Sequence, residues 1–302
     1  MPIFRLSLLI LVLVVAIPSS AQARGPKEGR NTIEFEGQQR VFQLHLPPTY
    51  DGQTPLPLVV VLHGGGGSGR QIAAQTDFAA KADAEGFIVV FPTGQRASDG
   101  GNYWENEGEL VDDPIKEALT GDDVGFLAAL IDHLKNELAI ESRRVYVAGF
   151  SNGASMALTL TCRLSDQIAA VAAVSSGLSA ACDPTSPVAV LQMMGTADPH
   201  LESEGMTGPD GRVWTWWRAI ALWSDFDGCA GEPAVEVAGR VTTTTYGPCD
   251  AGTEVVRIDL EGVGHNWPGG PEGPDDPVNG TDVVWDFFAR HARAETGTPA
   301  AE

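Results

Sequence analysis

The sequence predicts an α/β fold with a mostly parallel central sheet and helices on both of its faces. Apolar runs of strand length recur along the chain with helical patterns between them, and this alternation is typical of parallel sheets. In addition, 43% of the 302 residues are hydrophobic, which is enough for a substantial buried core.

The predicted strands are of two kinds. Residues 40–46 alternate polar and apolar side chains, which is typical of a strand with one buried face. Continuous apolar runs, typical of strands buried on both faces, occur at 56–62, 87–91, 144–148 and 188–193. Residues 254–260 are also strand-like, so the chain is expected to return to the sheet near its C-terminal end.

The helical patterns lie between these strands. Asp122 and Asp123 are suited to cap a helix with one apolar stripe, formed by Leu127, Leu130, Ile131, Leu134 and Leu138. Further helices are predicted over 153–164 and 281–291. Another stripe, formed by Val213, Trp216, Trp217, Ile220 and Trp223, is expected to pack in the core and not to form a binding platform.

The N-terminus has the pattern of a secretory signal peptide over residues 1–23. A short basic start is followed by the apolar residues 6–17 and by Ala21-Gln22-Ala23, a small-residue cleavage site. The alternative is a membrane anchor, but the apolar run is shorter than the roughly 20 residues that span a bilayer. We therefore expect a secreted protein, extracellular or periplasmic, with no membrane association after cleavage.

The mature chain is expected to form one domain over residues 24–293, followed by a flexible tail over 294–302, and to be a monomer. Asp and Glu number 40 against 19 Lys and Arg, so the formal net charge is −21. Such a field repels polyanions, so nucleic acid and anionic lipid are excluded as expected partners.

Four cysteines are present, an even number for an oxidising compartment: Cys162, Cys182, Cys229 and Cys249. We favour Cys162 with Cys182 and Cys229 with Cys249 because each pair closes a local loop. The alternative is one bridge with two free buried thiols. No CxxC or HxxxH spacing is present, so no metal site is expected.

The segment Gly149-Phe-Ser151-Asn-Gly153 matches the GxSxG pattern of a nucleophilic serine. A strand-like run leads into it and a helix-like run leads out, which is the turn that raises a serine above a sheet edge. The alternative is an ordinary strand-to-helix turn with a capping serine.

A nucleophilic serine needs an acid and a base, and the sequence offers both in the order expected for this arrangement. Asp198 follows the predicted strand 188–193 and is the candidate acid, with Asp225 and Asp227 as alternatives. His265 lies in a glycine-flanked loop after the strand 254–260 and is the candidate base. His200 is its main competitor, but it lies only two residues from Asp198, too close in the sequence to span the distance to Ser151 easily, which leaves a role at the rim of the site open.

Donors for an oxyanion are expected from the glycine-rich segment that follows His63. We expect backbone N–H groups of Gly65, Gly66 and Asn152 to donate and His63 to brace the loop beside the substrate. The alternative reading of the glycines is a flexible loop. Trp267, Trp104 and His63 are candidate substrate contacts.

These motifs together resemble the secreted polyhydroxybutyrate depolymerases and feruloyl or acetylxylan esterases, over roughly residues 40–291. The resembling segments are Leu62-His63-Gly-Gly, Gly121-Asp-Asp-Val-Gly-Phe126, Gly149-Phe-Ser-Asn-Gly153, Gly195-Thr-Ala-Asp198 and Gly264-His265-Asn-Trp-Pro-Gly269. The resemblance implies the α/β-hydrolase fold, a Ser151–Asp198–His265 triad and an acyl-serine intermediate without a cofactor. The chain departs from the family where Pro199-His200 follows Asp198 in place of a Val-Pro-Tyr-like turn.

The resulting hypothesis is a secreted serine carboxylesterase that hydrolyses polyhydroxybutyrate oligomers, feruloyl esters or acetyl esters. Relatives that degrade polymers often carry an added binding domain, and none is expected here, so soluble or oligomeric esters fit best. The alternatives are a serine peptidase of the same fold and a noncatalytic carbohydrate-binding protein.

Overall fold

The computed structural model describes residues 26–105, 119–178, 181–203 and 217–293. The predicted signal peptide and C-terminal tail therefore lie outside the described residues. So do Val213 and Trp216 of the predicted tryptophan stripe.

A ten-stranded sheet dominates the structure, and a small two-stranded sheet lies beside it. The strands are β1 Gly29–Phe35, β2 Gln38–His45, β3 Leu56–Leu62, β4 Ile88–Pro92, β5 Gln95–Arg96, β6 Asn102–Tyr103, β7 Ile140–Phe150, β8 Ala170–Val174, β9 Ala189–Gly195, β10 Ala234–Ala238, β11 Val241–Tyr246 and β12 Val255–Leu260. The order in the large sheet is β1-β2-β4-β3-β7-β8-β9-β12-β11-β10. Its centre, from β4 to β12, is parallel, while both edges are antiparallel.

Helices pack on both faces of this sheet. They are α1 Gly69–Thr76, α2 Phe78–Glu85, α3 Asp123–Glu137, α4 Asn152–Arg163, α5 Arg218–Phe226 and α6 Gly280–Ala289. Helices α3, α4 and α5 contribute to one buried layer, and α1, α2 and α6 contribute to the other. This arrangement, a mostly parallel central sheet with helices on both faces, confirms the predicted fold class.

The sequence prediction matches most of the central strands but misses β8, which is buried along its whole length, and the exposed strand β10 with its partner β11. Strand β3 has the predicted bounds, while β7 begins four residues earlier, at Ile140 instead of residue 144. The hairpin β10–β11 was not predicted, and every residue of β10 is exposed. An edge strand of this kind is built by backbone pairing with its neighbour, which leaves little hydrophobic pattern to detect.

Most of the predicted helices are present within a few residues of their expected ends. Asp122 caps α3 by accepting a hydrogen bond from the Gly125 N–H at 2.7 Å. In α5, Ile220 and Trp223 are buried, as the predicted stripe requires. Helices α1 and α2 were not predicted, because they are short and rich in alanine and polar residues.

Both favoured cysteine pairs, Cys162–Cys182 and Cys229–Cys249, are disulfide-bonded. The first ties α4 to the chain beyond β8, and the second joins the segments that flank the β10–β11 hairpin. Such bonds fit an oxidising compartment. Within the described ranges, no helix has the length and apolar character to cross a bilayer.

Strands β3 and β7 meet helix α4 at two glycines. A Cβ on Gly149 would lie 2.1 Å from the Gly153 carbonyl oxygen. A Cβ on Gly153 would lie 2.4 Å from the His63 carbonyl oxygen and 2.5 Å from that of Leu62. The helix therefore packs directly on the backbone of the strands, and only glycine fits between them.

We predict that Gly153→Ala lowers the free energy of unfolding by about 3 kcal/mol, because the new methyl group overlaps backbone that is fixed in the sheet. Helix propensity alone predicts the opposite sign, since alanine is favoured over glycine inside a helix by about 1 kcal/mol. Urea denaturation measures the change.

Gly264→Ala is the matched control for stability, because the nearest atom that its Cβ would meet is 3.9 Å away. An equal loss of stability in both variants would contradict the close approach at Gly153.

Candidate active site

Ser151 occupies the sharp turn between β7 and α4. Its backbone has φ 53° and ψ −124°, a region that residues other than glycine rarely adopt and that costs about 1 to 3 kcal/mol. The turn is held by the Ser151 N–H, which donates to the Val174 carbonyl at 2.9 Å, and by the glycine contacts on either side. This backbone raises the serine hydroxyl above the end of the sheet.

The serine, histidine and aspartate predicted from the sequence form one hydrogen-bonded relay. His265 Nε2 lies 2.9 Å from Ser151 Oγ, and His265 Nδ1 lies 2.6 Å from Asp198 Oδ2. Because the carboxylate only accepts, Nδ1 carries the proton and Nε2 is left to accept one from the serine hydroxyl. The arrangement can therefore draw a proton from Ser151.

The sheet topology explains how residues so far apart in the sequence meet. Asp198 follows β9 and His265 follows β12, and these two strands are adjacent and parallel. Strand β7, which leads into Ser151, is separated from β9 by β8 alone. Carboxyl ends of parallel strands meet at one edge of a sheet, where the connecting loops form binding sites.

The Asp198 carboxylate is buried and is held by two histidines. Its Oδ1 accepts from the His200 N–H at 2.9 Å and lies 3.0 Å from His200 Nδ1, while Oδ2 faces His265. Burial opposes ionisation of Asp198, but the hydrogen bonds from His265 and His200 outweigh it and hold its pKa below the usual value. Asp198 is thus an anion that orients His265.

None of the alternative assignments from the sequence takes the place of Asp198 or His265 in this relay. His200 lies at the rim, with its ring centroid 4.2 Å from that of His265, and it contacts Asp198 instead of Ser151. Asp227 is buried at the end of α5, where it accepts from Thr253 Oγ1 at 2.7 Å and where burial raises its pKa to about 6. Asp225 also lies on α5.

The glycine-rich segment after β3 forms a tight turn beside Ser151. The Gly67 N–H donates to the Gly64 carbonyl at 3.1 Å, and Gly66 has φ 76°. A Cβ on Gly64 would lie 3.3 Å from Ser151 Cβ, and one on Gly65 would lie 3.8 Å from Asn152 Cβ. The backbone of Gly65 is therefore next to that of Asn152, the two segments from which oxyanion donors are expected.

Asn152 and Trp104 lock the neighbouring loop in place. The Asn152 side chain accepts from the Trp104 N–H at 2.8 Å and donates to the Trp104 carbonyl at 3.2 Å. The indole Nε1–H of Trp104 donates to the His63 carbonyl at 2.9 Å, and the ring is fully buried. The expected substrate contact by Trp104 needs correction, because a side chain without exposed surface braces the loop and offers no face to a ligand.

The same correction applies to the other two expected substrate contacts. Trp267 is only 4% exposed, packs against Phe78 and donates from Nε1 to Thr281 Oγ1 at 3.0 Å. His63 is 1% exposed, with Nδ1 2.7 Å from the Gly64 carbonyl and Nε2 accepting from the Gly94 N–H at 3.0 Å. His63 therefore braces the glycine turn, which is the part of its expected role that the contacts support.

One buried ion pair near the site was not anticipated. The sequence indicates only a helix cap at Asp123, but in the structure this side chain is fully buried and pairs with Arg40 at 2.5 Å. Its other oxygen accepts from Gln95 Nε2 and from the Glu105 N–H, each at 2.9 Å. Arg40 lies far away in the sequence on β2, so no local pattern reveals this support of the loop that carries Trp104.

Two further residues near the relay were also missed. The ring of Tyr103, on β6, packs against the glycine turn, 3.2 Å from the position that a Cβ on Gly65 would occupy. Its hydroxyl donates to Asp99 at 2.7 Å. Asp276 accepts from Asn266 Nδ2 at 2.7 Å and so holds the residue that follows His265. The contact of Asp276 with Asn266 joins two parts of one loop and has no sequence signature. Tyr103 could have been suspected as a site residue, because it is an aromatic residue next to Trp104.

His63 provides a test of this geometry through stability. Burial lowers the pKa of His63 from 6.5 to about 4 although its bond to the Gly64 carbonyl opposes the shift. Because the pKa of His63 is lower in the folded protein than in the unfolded chain, the unfolded chain binds a proton on this imidazole more readily. Above pH 6.5 His63 therefore takes nothing from the free energy of unfolding. As the pH falls from 6.5 through about 4, the free energy of unfolding decreases by up to about 3 kcal/mol because of this residue.

We predict that His63→Gln removes this loss of stability, because glutamine does not titrate yet can accept from the Gly94 N–H. Denaturation curves between about pH 7 and pH 4 compare the two proteins, and contributions of Asp198 and Asp227 cancel in the difference. Parallel pH profiles would show that His63 is not buried as a neutral ring.

Comparisons with known proteins agree with the geometry. The family model described as esterase PHB depolymerase matches residues 41–202, more than half of the chain, including Ser151 and Asp198. The putative esterase NocK of Nocardia uniformis is 30% identical over 79% of this chain and 73% of its own length. Feruloyl esterase D of Neurospora crassa is 27% identical over 95% of this chain and 97% of its own length.

A solved structure extends the likeness to the fold. The acetyl xylan esterase from Aspergillus awamori superposes with a TM-score of 0.63 at 16% identity, covering 87% of this chain and 99% of its own. At that identity the likeness concerns the α/β-hydrolase fold alone. The matches of sequence decide the family: this chain belongs to the esterase PHB depolymerase family and is a carboxylic ester hydrolase.

Proposed function

We propose that this chain is an exported serine carboxylesterase that works through an acyl-serine intermediate on Ser151. The observation that carries the proposal is the relay from Ser151 Oγ through His265 to Asp198, with contacts of 2.9 and 2.6 Å. The strained backbone at Ser151 supports it, because strain of this kind is concentrated at functional sites.

In the proposed mechanism, Ser151 Oγ attacks the ester carbonyl carbon while its proton moves to His265 Nε2. The carbonyl oxygen becomes an oxyanion, for which the N–H groups of Gly65 and Asn152 are the proposed donors, with Gly66 in the same turn. As the tetrahedral state collapses, the C–O bond to the alcohol breaks and His265 protonates the leaving oxygen.

Water then repeats the sequence on the acyl-enzyme and releases the acid. His265 takes a proton from the water, the new tetrahedral state collapses, and the proton returns to Ser151 Oγ. Asp198 keeps the imidazole tautomer throughout and stabilises the imidazolium. All of these groups belong to one chain, so we propose that a single domain over residues 24–293 acts as a monomer.

Export is proposed from the N-terminal pattern over residues 1–23 and is supported by the two disulfides. Bonds of this kind persist outside the reducing cytosol. The proposed location is therefore extracellular or periplasmic.

The proposed substrates are esters of the classes that the relatives and the family are named for: feruloyl, acetyl and hydroxybutyryl esters. Tyr103 favours an aromatic acyl group among them. Its half-buried ring lies against Gly65 on the turn that carries the proposed oxyanion donors, so a planar acyl chain on Ser151 can stack against it.

We predict that purified residues 24–302 hydrolyse p-nitrophenyl acetate, methyl ferulate or 3-hydroxybutyrate oligomers, and that Ser151→Ala lowers kcat by at least about 10⁴-fold. An aminoacyl amide in the same panel tests the peptidase alternative. Equal rates for the two proteins on every ester would refute the acyl-serine mechanism and favour a binding protein.

Tyr103→Ala tests the aromatic acyl preference. We predict that kcat/KM falls about tenfold for methyl ferulate and changes little for p-nitrophenyl acetate, because only the larger acyl group reaches the ring. Tyr103→Phe is the matched control, since it keeps the ring and removes only the hydrogen bond to Asp99. A similar loss on both esters would mean that Tyr103 supports the turn and does not select the acyl group.

A further inference from the structure

His200 gives the relay a feature that the ester hydrolysis does not use. Asp198, His200 and His265 each offer a ligand atom, and these atoms lie within 4.8 Å of one another. Two imidazoles and one carboxylate are the donor set that zinc and similar divalent transition metals bind, commonly with an open position for water. The spacing along the chain hides this cluster, because His265 lies 67 residues from Asp198.

We propose that Asp198, His200 and His265 form an inhibitory site for Zn²⁺. The proposal deepens the proposed function, since the ion would occupy the residues assigned there as acid and base. Zinc is the cation that the ligands favour, because it prefers imidazole nitrogen with carboxylate oxygen and accepts three protein ligands.

The observed distances allow the ion to enter with small adjustments. His265 Nδ1 and His200 Nδ1 lie 2.6 and 3.0 Å from the two oxygens of the same carboxylate. Ligand atoms on one tetrahedral zinc, each about 2 Å from the ion, are roughly 3.3 Å apart. A slight withdrawal of the Asp198 carboxylate therefore opens the required space between the two rings.

The site is accessible and attracts cations. The His200 side chain is 59% exposed and that of His265 is 22% exposed, so an ion can approach from solvent without unfolding the loop. The chain carries a formal charge of −21, which raises the local concentration of cations. Asp198 supplies a carboxylate directly at the cluster.

Inhibition follows from the tautomer of His265. In the relay the proton is on Nδ1 and Nε2 accepts from Ser151. Coordination of zinc by Nδ1 moves that proton to Nε2, so the ring that faces Ser151 Oγ becomes a donor. The total number of protons is unchanged, but His265 can no longer act as a base. The esterase is then switched off until the ion is removed.

The test measures p-nitrophenyl acetate hydrolysis in a buffer without chelating groups while Zn²⁺ is titrated. We expect inhibition that EDTA reverses, and we expect His200→Asn to raise the half-inhibitory Zn²⁺ concentration at least about tenfold. Asparagine can keep a hydrogen bond to Asp198 but supplies no imidazole, and each protein is compared with its own rate without zinc. His200→Gln serves the same purpose if the first variant does not fold.

Two controls make the result specific to this cluster. His45→Ala removes another solvent-accessible histidine, which lies between Glu28 and Asp83, and should change neither the activity nor the sensitivity to zinc. Mg²⁺ at equal concentration should not inhibit, because it prefers oxygen ligands. Unchanged sensitivity of both His200 variants, or equal inhibition by Mg²⁺, would overturn the proposal.

Calorimetric titration of Zn²⁺ into the Ser151→Ala protein separates this inference from the proposed function. That protein has all three ligands and should bind one zinc ion, and Ser151→Ala with His200→Asn should bind at least about tenfold more weakly. If the unmodified chain shows no esterase activity but Ser151→Ala still binds zinc through His200, only the proposed function is refuted. Esterase activity without such binding would refute only the zinc site.

Discussion

The direct packing of helix α4 on the backbone of β3 and β7 is the constraint on which the rest of the site depends. With no side chain at Gly149 or Gly153, the helix begins so close to the sheet that Ser151 must take a positive φ. That conformation is unfavourable in isolation and is imposed by the surrounding sheet, whose central strands are buried on both faces. The core therefore supplies the free energy that holds the serine in its reactive position.

The loops around Ser151 are held mainly by polar contacts that are themselves buried. Asn152 pairs with both main-chain groups of Trp104, and Asp123 holds the next residue through the Glu105 N–H. His63 contributes a neutral ring with one donor and one acceptor, each matched to a backbone group of the turn. A buried polar group without a partner is costly, so each of these contacts restricts the loop to one arrangement. A rigid turn of this kind can present its N–H groups to an oxyanion with little reorganisation.

The sequence revealed those parts of the structure whose physical cause is local. Most of the buried strands follow from unbroken apolar runs, although the short, alanine-rich β8 was missed. Ser151, Asp198 and His265 follow from the turns that end such strands. At the antiparallel edges β2 was predicted, whereas β10 was missed because exposed residues such as Val235 and Val237 carry no burial pattern. The roles of Trp104 and Trp267 were misjudged for a related reason, since a tryptophan in a loop can fill the core as readily as it can line a pocket. The ion pair of Arg40 with Asp123 joins residues 83 positions apart, so it depends on tertiary geometry that no local spacing encodes.

The surroundings of Asp198 leave the negative charge of its carboxylate available to stabilise a protonated His265. Its described side-chain partners are the two histidines His200 and His265, and the remaining hydrogen bond comes from a backbone N–H. An arginine or lysine in that position would neutralise the carboxylate permanently and weaken its attraction for a protonated His265. Neutral donors instead fix the orientation of the carboxylate and leave its charge available when the imidazolium forms. The same carboxylate charge, buried beneath the exposed His200, is what makes the relay attractive to a metal cation, so catalytic electrostatics and the proposed sensitivity to zinc have one physical origin.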